Sequence, residues 1–203
     1  MSHSETLPPG HFHHLEPETA YHASKFGMWL FLATEILFFG GLFAAFAIYN
    51  AMFFDMFHAG SQTLNWMIGA GNTVVLLASS YTMARAVDAA QSGDNRKVEF
   101  WIWPTFFCGL FFILVKWFFE YMPKAEHGLW PPQNIYYGLY FCMTGLHAIH
   151  VVVGLGLLWW LKGLAKANRF SKNYYTPVEV GGLYWHLVDL VWIYLFPLLY
   201  LVS

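Results

Sequence analysis

Five apolar stretches separated by short polar segments dominate this sequence and limit the folds that it can adopt. A helix of about 20 apolar residues crosses the hydrocarbon core of a bilayer, and each of the five stretches reaches that length. The polar segments between them carry prolines, glycines or charged residues, which mark loops. We therefore predict an all-α membrane protein, a bundle of five transmembrane helices at about residues 26–49, 64–86, 99–122, 134–162 and 178–202.

The composition agrees with a membrane protein and argues against other classes. Hydrophobic residues make up 58% of the 203 residues and charged residues only 11%, whereas soluble domains carry about 25% charged residues. Aromatic residues reach 21%, which is typical of chains whose side chains lie at membrane–water interfaces. The formal net charge of −2 and the absence of a basic run argue against a nucleic-acid partner.

Lysine and arginine are distributed unevenly between the two ends of the predicted bundle. Cytoplasmic loops of membrane proteins are enriched in these residues. One end of the bundle carries only Lys124, whereas the end that includes the N-terminus carries eight lysine and arginine residues. We therefore predict a cytoplasmic N-terminus and an outside C-terminus. The N-terminal segment and the second and fourth loops carry Lys25, Arg85, Arg96, Lys97, Lys162, Lys166, Arg169 and Lys172.

Residues 1–24 form a polar N-terminal tail, and we assign residues 25–203 to the membrane domain. Two interpretations of the tail are open: a metal site, or a loosely ordered arm that docks on a partner. Prolines at positions 8, 9 and 17 favour the second, because proline interrupts regular structure. The histidines concerned are His3, His11, His13, His14 and His22.

Glu35 is an ionisable residue placed deep in the first predicted span. It follows Lys25 by ten residues, which at 1.5 Å per residue is roughly 15 Å, near the mid-plane of a bilayer. Ionisable groups at that depth face protein or water and often mark function. Glu35 is either a protonated carboxyl bonded to a neighbouring helix or a carboxyl that exchanges protons.

Further polar residues lie at a similar depth in the fourth and fifth spans. His147 and His150 lie in "MTGLHAIHVVVG" (143–154), and Glu179, His186 and Asp189 share one face of the fifth span. Three interpretations of this polar band remain open. It binds haem or a metal, as in a b-type cytochrome; it relays protons in a proton-coupled transporter; or it holds the helices together within a larger complex. At the end of the third span, Lys116 and Glu120 are predicted to pair.

The four stretches that carry most of these residues resemble a known family. They are "WLFLATEILFFGGLFAAF" (29–46), "NTVVLLASS" (72–80), "GLHAIHVVVG" (145–154) and "YWHLVDLVWIYLF" (184–196). The chain resembles subunit III of the haem–copper cytochrome c oxidases, in its short five-helix bacterial form. Longer members carry two further N-terminal helices beside a lipid-filled cleft, and this chain begins at the third helix of that pattern.

The resemblance implies an accessory subunit with no catalytic residues, no metal and no redox cofactor of its own. It implies direct contact with the catalytic subunit I, which carries the haems and copper, and a shared complex with subunit II and a small subunit IV. The complex would pass electrons from cytochrome c to oxygen and pump protons across the bacterial plasma (inner) membrane. The accessory subunit would stabilise subunit I, support proton uptake and bind phospholipid.

The resemblance also implies roles for particular residues. Glu35 matches the membrane carboxylate of the family. The matching buried polar positions are Glu120, His147, His150, Glu179, His186 and Asp189. Basic side chains placed to meet phospholipid head groups are Lys25, Lys162, Lys166, Arg169 and Lys172.

Subunits of quinol oxidases and of nitric-oxide-reductase-associated complexes are the alternative members of this wider group. The quinol-oxidase members have "H…HV…G" and "WH…D…W" stretches similar to those of this chain. The "TEILFF" context of Glu35 favours the cytochrome c branch.

Overall fold

A computed structural model of the chain describes residues 17–126, 128 and 134–201. Apart from an isolated bridge between Ser171 and Tyr174, the regular structure of these residues is helical. The elements are α1 (Pro17–Met52), α2 (Phe54–Ser61), α3 (Trp66–Gln91), α4 (Asn95–Lys116), a π-helical segment (Trp117–Tyr121), α5 (Met122–Glu126), α6 (Ile135–Lys166) and α7 (Thr176–Tyr200).

Four helices in the described part of the chain are long and apolar enough to cross a membrane. They cover Tyr21–Met52, Asn95–Lys124, Ile135–Lys166 and Thr176–Tyr200. The predicted all-helical fold with several long apolar helices is therefore confirmed, whereas the second predicted span is not among the four. That span corresponds to α3, whose 26 residues include Asn72, Thr73, Ser79 and Ser80. These polar side chains lower its hydropathy, and several of them bond to α7.

Four of the helices form a ring, and α1 lies outside it. Within the ring, α3 packs against α4 and α7, and α6 packs against the same two helices. The first helix, α1, contacts α6 and α7 along one side and the short α2 near its own end. Most side chains on the other side of α1 are exposed. The packing therefore gives α7 three long neighbours and leaves α1 as the peripheral helix.

Side-chain caps explain where several helices begin. The side chain of Asn65 accepts from the N–H of Met67 at the start of α3, and Asp94 accepts from Lys97 at the start of α4. Such caps satisfy N–H groups that have no partner within the helix. The α4 cap starts that helix at Asn95, four residues before the predicted boundary at 99.

The first helix also starts earlier than predicted. It begins at Pro17, inside the segment assigned to the polar tail, so that His22 lies on α1. Proline is well suited to a first helical turn because its missing N–H has no partner there anyway. The short helix α2 was not predicted. His3, His11, His13 and His14 lie outside the described residues.

Trp185 is the packing centre of the ring. Its side chain on α7 is fully buried and lies against Gly109 of α4 and Gly154 of α6. Its indole N–H donates to Ser79 Oγ of α3 at 3.0 Å. A large indole fits here because the two glycines leave space for it. All four helices of the ring thus meet at one side chain, which fixes the depth of α7 relative to the others.

Candidate functional site

A carboxyl–imidazole pair joins α1 to α6. Glu35 Oε2 lies 3.2 Å from Nε2 of His150. The other ring nitrogen, Nδ1, lies 2.8 Å from the carbonyl oxygen of Leu146. A carbonyl oxygen only accepts, so Nδ1 carries the hydrogen of that bond. The carboxyl of Glu35 and the imidazole of His150 thus lie side by side, one on each helix, and their contact joins α1 to α6.

The pair is enclosed by protein on one side only. The ring of Phe39 meets the imidazole edge-on at 5.4 Å between centroids, and Tyr184 of α7 donates to the backbone oxygen of His150 at 3.0 Å. The side chains of His150 and Glu35 remain 20% and 17% exposed. The helices α1, α6 and α7 thus meet at this point, and the outer side of the pair stays open.

His147 lies one turn from His150 on α6 but faces a different helix. Its Nε2 donates to the backbone oxygen of Val188 on α7 at 3.1 Å. The ring is buried between the aromatic rings of Phe112 and Trp192. Because the two imidazoles point to α7 and α1 respectively, they hold α6 to two neighbours. This arrangement favours the helix-joining interpretation of the polar band.

His186 and Asp189 of α7 face α3. His186 Nδ1 lies 2.7 Å from Ser80 Oγ. One turn further on, Asp189 is buried, and neither of its carboxyl oxygens has a hydrogen-bond partner among the described residues. The nearby hydroxyl groups belong to Ser79 and Ser80. Ser79 donates to the backbone oxygen of Leu76 and accepts from the indole N–H of Trp185, and Ser80 bonds to His186. The face predicted for α7 therefore packs on α3 at these two positions.

A second buried cluster surrounds Glu120 in the π-helical segment. The predicted ion pair with Lys116 is present, and both side chains are buried. The carboxylate also accepts hydrogen bonds from the hydroxyl groups of Tyr140 on α6 and Tyr200 on α7. Lys116 Nζ donates in addition to Tyr200 Oη at 2.9 Å. The pair therefore links three helices, and the two tyrosines supply polar contacts that the sequence pattern did not predict.

Most of the basic side chains gather at one end of the bundle, where α1 begins, α6 ends and α7 begins; we call this the basic end. Lys25 pairs there with Glu179 at 2.8 Å, and Tyr21 donates to the same carboxylate at 3.2 Å. Lys162 lies over the rings of Trp103 and Trp159, 4.1 and 4.0 Å from their centroids. The remaining predicted head-group contacts, Lys166, Arg169 and Lys172, are exposed.

A cavity of about 730 Å³ opens at the basic end between α1, α6 and α7. Its lining is mostly apolar and includes polar side chains, among them one lysine. The lining includes Tyr21, Leu157, Trp160, Lys172, Thr176 and Val180. Within residues 17–126, 128 and 134–201, no group of three or more His, Cys, Asp and Glu side chains is close enough to hold a metal ion.

Comparison with known proteins decides the family. The profile of the family described as cytochrome c oxidase subunit III matches residues 10–203. The chain belongs to this family. Among its subunit III relatives, cytochrome c oxidase subunit 3 of Synechocystis sp. is 33% identical over 98% of this chain and 83% of its own length. The probable subunit 3 of Mycobacterium tuberculosis is 34% identical over 87% of this chain and 86% of its own length.

A third subunit III relative, from Corynebacterium diphtheriae, is 34% identical and aligned over 87% of each chain. The resemblance inferred from the four sequence stretches is therefore confirmed. Since the relatives are aligned over most of their own length, the likeness concerns nearly the whole subunit rather than a shared segment.

In this subunit III chain the structure joins some of the predicted residues and separates others. Glu35 and His150 form one pair, whereas Glu179 lies at the basic end and Glu120 in the separate Lys116 cluster. The predicted residues therefore form several contacts between helices rather than one site. Sequence reasoning missed the partners Tyr21, Tyr140 and Tyr200, for which the sequence contains no local signal.

Proposed function

We propose that the chain is the accessory, non-catalytic subunit III of a terminal haem–copper oxidase that passes electrons from cytochrome c to oxygen and pumps protons. The observation that carries this proposal is the family match over residues 10–203. The bonding of the polar band supports it: the imidazoles of His147 and His150 are engaged by protein groups on α7 and α1. In this proposal the haems and the copper belong to partner subunits.

The proposed partners are subunit I in direct contact, and subunit II and a small subunit IV in the same complex. The subunit stabilises subunit I and supports its proton uptake. The test compares the purified oxidase with and without this chain during sustained turnover. We expect similar initial rates of oxygen consumption and faster inactivation without the chain. An unchanged inactivation time course would contradict the stabilising role.

The proposed topology has five membrane-spanning helices, α3 being the least apolar, with the basic end on the cytoplasmic side of the bacterial plasma membrane. The grouping of Lys and Arg side chains at one end supports this orientation. The test uses two variants, Lys97→Cys and Gln62→Cys. Gln62 lies just before the start of α3, and Lys97 lies in the first turn of α4, just after the end of α3. The two positions are therefore near opposite ends of α3. In intact cells we expect a membrane-impermeant maleimide to label only the second variant. The reverse pattern would invert the topology.

Glu35 is proposed to bind a proton that responds to the state of the oxidase. The 3.2 Å contact between the Glu35 carboxyl and the His150 imidazole supports this role, because both groups can bind a proton and ionisable groups inside a membrane often mark function. Infrared difference spectra of wild type and Glu35→Gln provide the test. We expect a carboxyl band that the variant lacks, and its absence from the wild type would count against the proposal.

The cavity at the basic end is proposed to hold the head group of a phospholipid. Its mostly apolar lining suits acyl chains, and Lys172 among the lining residues supplies a positive charge for a phosphate. We expect Lys172→Gln to reduce the anionic lipid that stays bound to the purified complex in native mass spectra. The control is Lys97→Gln, an exposed lysine at the same end that does not line the cavity. Equal lipid retention in both variants would refute this site.

The relatives are described as subunits of cytochrome c oxidases, which supports cytochrome c rather than quinol as the electron donor. The assay is direct: the isolated complex should consume oxygen with reduced cytochrome c as donor. Activity with a quinol alone would favour the alternative branch.

A further inference from the structure

The loop between α6 and α7 supplies part of the lining of the cavity at the basic end. Residues 172–175 of this loop line the cavity, together with residues of α1, α6 and α7, whereas α4 contributes none. Connecting loops are more mobile than the helices that they join. The contacts that hold this loop therefore decide whether its side chains keep their places in the cavity.

Asn95, the first residue of α4, holds the loop with two hydrogen bonds. Its Nδ2 donates to the backbone oxygen of Phe170 at 2.9 Å, and its Oδ1 accepts from the backbone N–H of the same residue at 3.1 Å. The side-chain amide thus satisfies both polar backbone groups of Phe170, as a residue on a neighbouring β-strand would. The ring of Phe170 is buried in the core. Phe170 is therefore held by its side chain and by its backbone.

The chain reaches the cavity two residues after Phe170. Ser171 and Tyr174 exchange backbone hydrogen bonds of 3.1 and 2.9 Å, which close a tight turn. Lys172 lies in this turn and lines the cavity. Because the turn follows Phe170 directly, the position of the Phe170 backbone determines where the side chain of Lys172 enters the cavity.

The turn between α3 and α4 lies against Lys172 as well. A Cβ atom at Gly93 would lie 3.4 Å from the backbone nitrogen of Lys172 and 3.6 Å from its Cγ. Gly93 has a φ of +77°, a conformation that glycine adopts without strain. Gly93 and Asn95 thus both contact the loop from the side of α4, and neither of them lines the cavity.

We propose that Asn95 is a positioning residue for the cavity at the basic end. By holding the backbone of Phe170, it places Lys172 where the ammonium group meets the phosphate of an anionic phospholipid. The inference rests on the head-group site of the proposed function and adds to it a residue of α4 that the lipid does not touch. Loss of the Asn95 side chain frees the loop and weakens lipid binding, although every side chain that lines the cavity is retained.

The first measurement asks whether Asn95 holds the loop in the purified oxidase. We expect faster hydrogen exchange in Asn95→Ala within the peptide that covers residues 168–176, because the N–H of Phe170 loses its acceptor. Asn95→Asp keeps that acceptor and should show a smaller increase. Asn65→Ala is the matched control, since Asn65 also makes two side chain–backbone hydrogen bonds, at the opposite end of α3. Unchanged exchange in Asn95→Ala overturns the proposal.

The second measurement is the binding of phosphatidylglycerol to the lipid-depleted oxidase, followed by native mass spectrometry. In Asn95→Ala we expect the dissociation constant to rise by about threefold to tenfold, the order that corresponds to one hydrogen bond. In Asn65→Ala it should stay close to the wild-type value. No change in Asn95→Ala, or an equal rise in Asn65→Ala, overturns the proposal.

A double variant separates positioning from a general loss of stability. If Asn95 acts through Lys172, then Lys172→Gln should weaken phosphatidylglycerol binding less in the Asn95→Ala background than in the wild type. The reason is that a lysine on a freed loop contributes little that its removal can take away. Losses that add up fully overturn the positioning role.

The same variants separate the two proposals. If Lys172→Gln alone leaves phosphatidylglycerol binding unchanged, the head-group site of the proposed function fails, and this inference fails with it. If Lys172→Gln weakens binding and Asn95→Ala does not, the positioning role fails and the head-group site stands.

Discussion

Gly154 of α6 lies directly against the indole ring of Trp185, so that a Cβ atom at this position would come within 2.9 Å of the ring. We expect Gly154→Ala to lower the free energy of unfolding by about 1–3 kcal/mol, the usual cost of overpacking a buried contact. Unfolding in mixed micelles with increasing dodecyl sulfate measures this difference. Gly156→Ala is the control, since its Cβ meets nothing within 4 Å. A larger loss in the control would contradict the packing role of Gly154.

Lys116 and Glu120 form a buried ion pair, and each depends on the other for neutralisation. Removing one charge by Lys116→Met or Glu120→Gln should cost about 3–5 kcal/mol of unfolding free energy, because the other is left buried without its partner. The double variant should cost less than the sum of the single variants. Additive losses would show that the two side chains do not interact. Arg85→Gln, in an exposed pair on α3, should cost less than about 1 kcal/mol.

Asp94 makes the start of α4 sensitive to acid. The backbone N–H of Lys97, together with the side chain of Lys97, holds the pKa of Asp94 below its usual value. A carboxylate whose pKa is lowered on folding stabilises the protein above its unfolded pKa, and this contribution disappears as the pH falls through the folded value. The stability difference between wild type and Asp94→Asn should therefore shrink below about pH 4. Thermal unfolding between neutral and acid pH measures it, and a pH-independent difference would refute this role.

The pair between Lys25 and Glu179 attaches the start of α1 to α7. Glu179→Gln should loosen this end and speed trypsin cleavage after Lys25. The expected factor is about two to five, which corresponds to the energy of a partly exposed ion pair. Asp88→Asn changes a carboxylate that pairs only within α3, and it should leave the cleavage rate at Lys25 unchanged. Equal rates in wild type and Glu179→Gln would argue against the attachment.

The transmembrane helices were predictable from the sequence because length and apolar composition are local properties. The same holds for Lys116 and Glu120, whose spacing alone places them side by side on a helix. The fold differs most from expectation at α3, where the hydropathy is lowered by serine and threonine side chains. Those groups bond to Trp185, His186 and Trp192 of α7. A polar residue that is satisfied by a neighbouring helix looks, in the sequence, like a residue that belongs in a loop.

The partners of the polar residues were harder to predict. Glu35 and His150 were placed at a similar depth, but helical spacing does not show which helices are adjacent. Lys25 and Glu179 are 154 positions apart, and nothing near either residue indicates the other. Their pairing follows from the position of α1 against α6 and α7, which depends on the packing of the whole bundle.

The peripheral position of α1 has a consequence for biosynthesis. Among the described helices, α1 is translated before all the others, whereas its long neighbours α6 and α7 are translated after them. During insertion α1 must wait among lipids while the intervening helices leave the ribosome, and Glu35 lacks His150 for that entire interval. Although α1 is made before α6 and α7, it thus finds its place only after both of them have entered the membrane, and their insertion sets the moment at which its carboxyl meets His150.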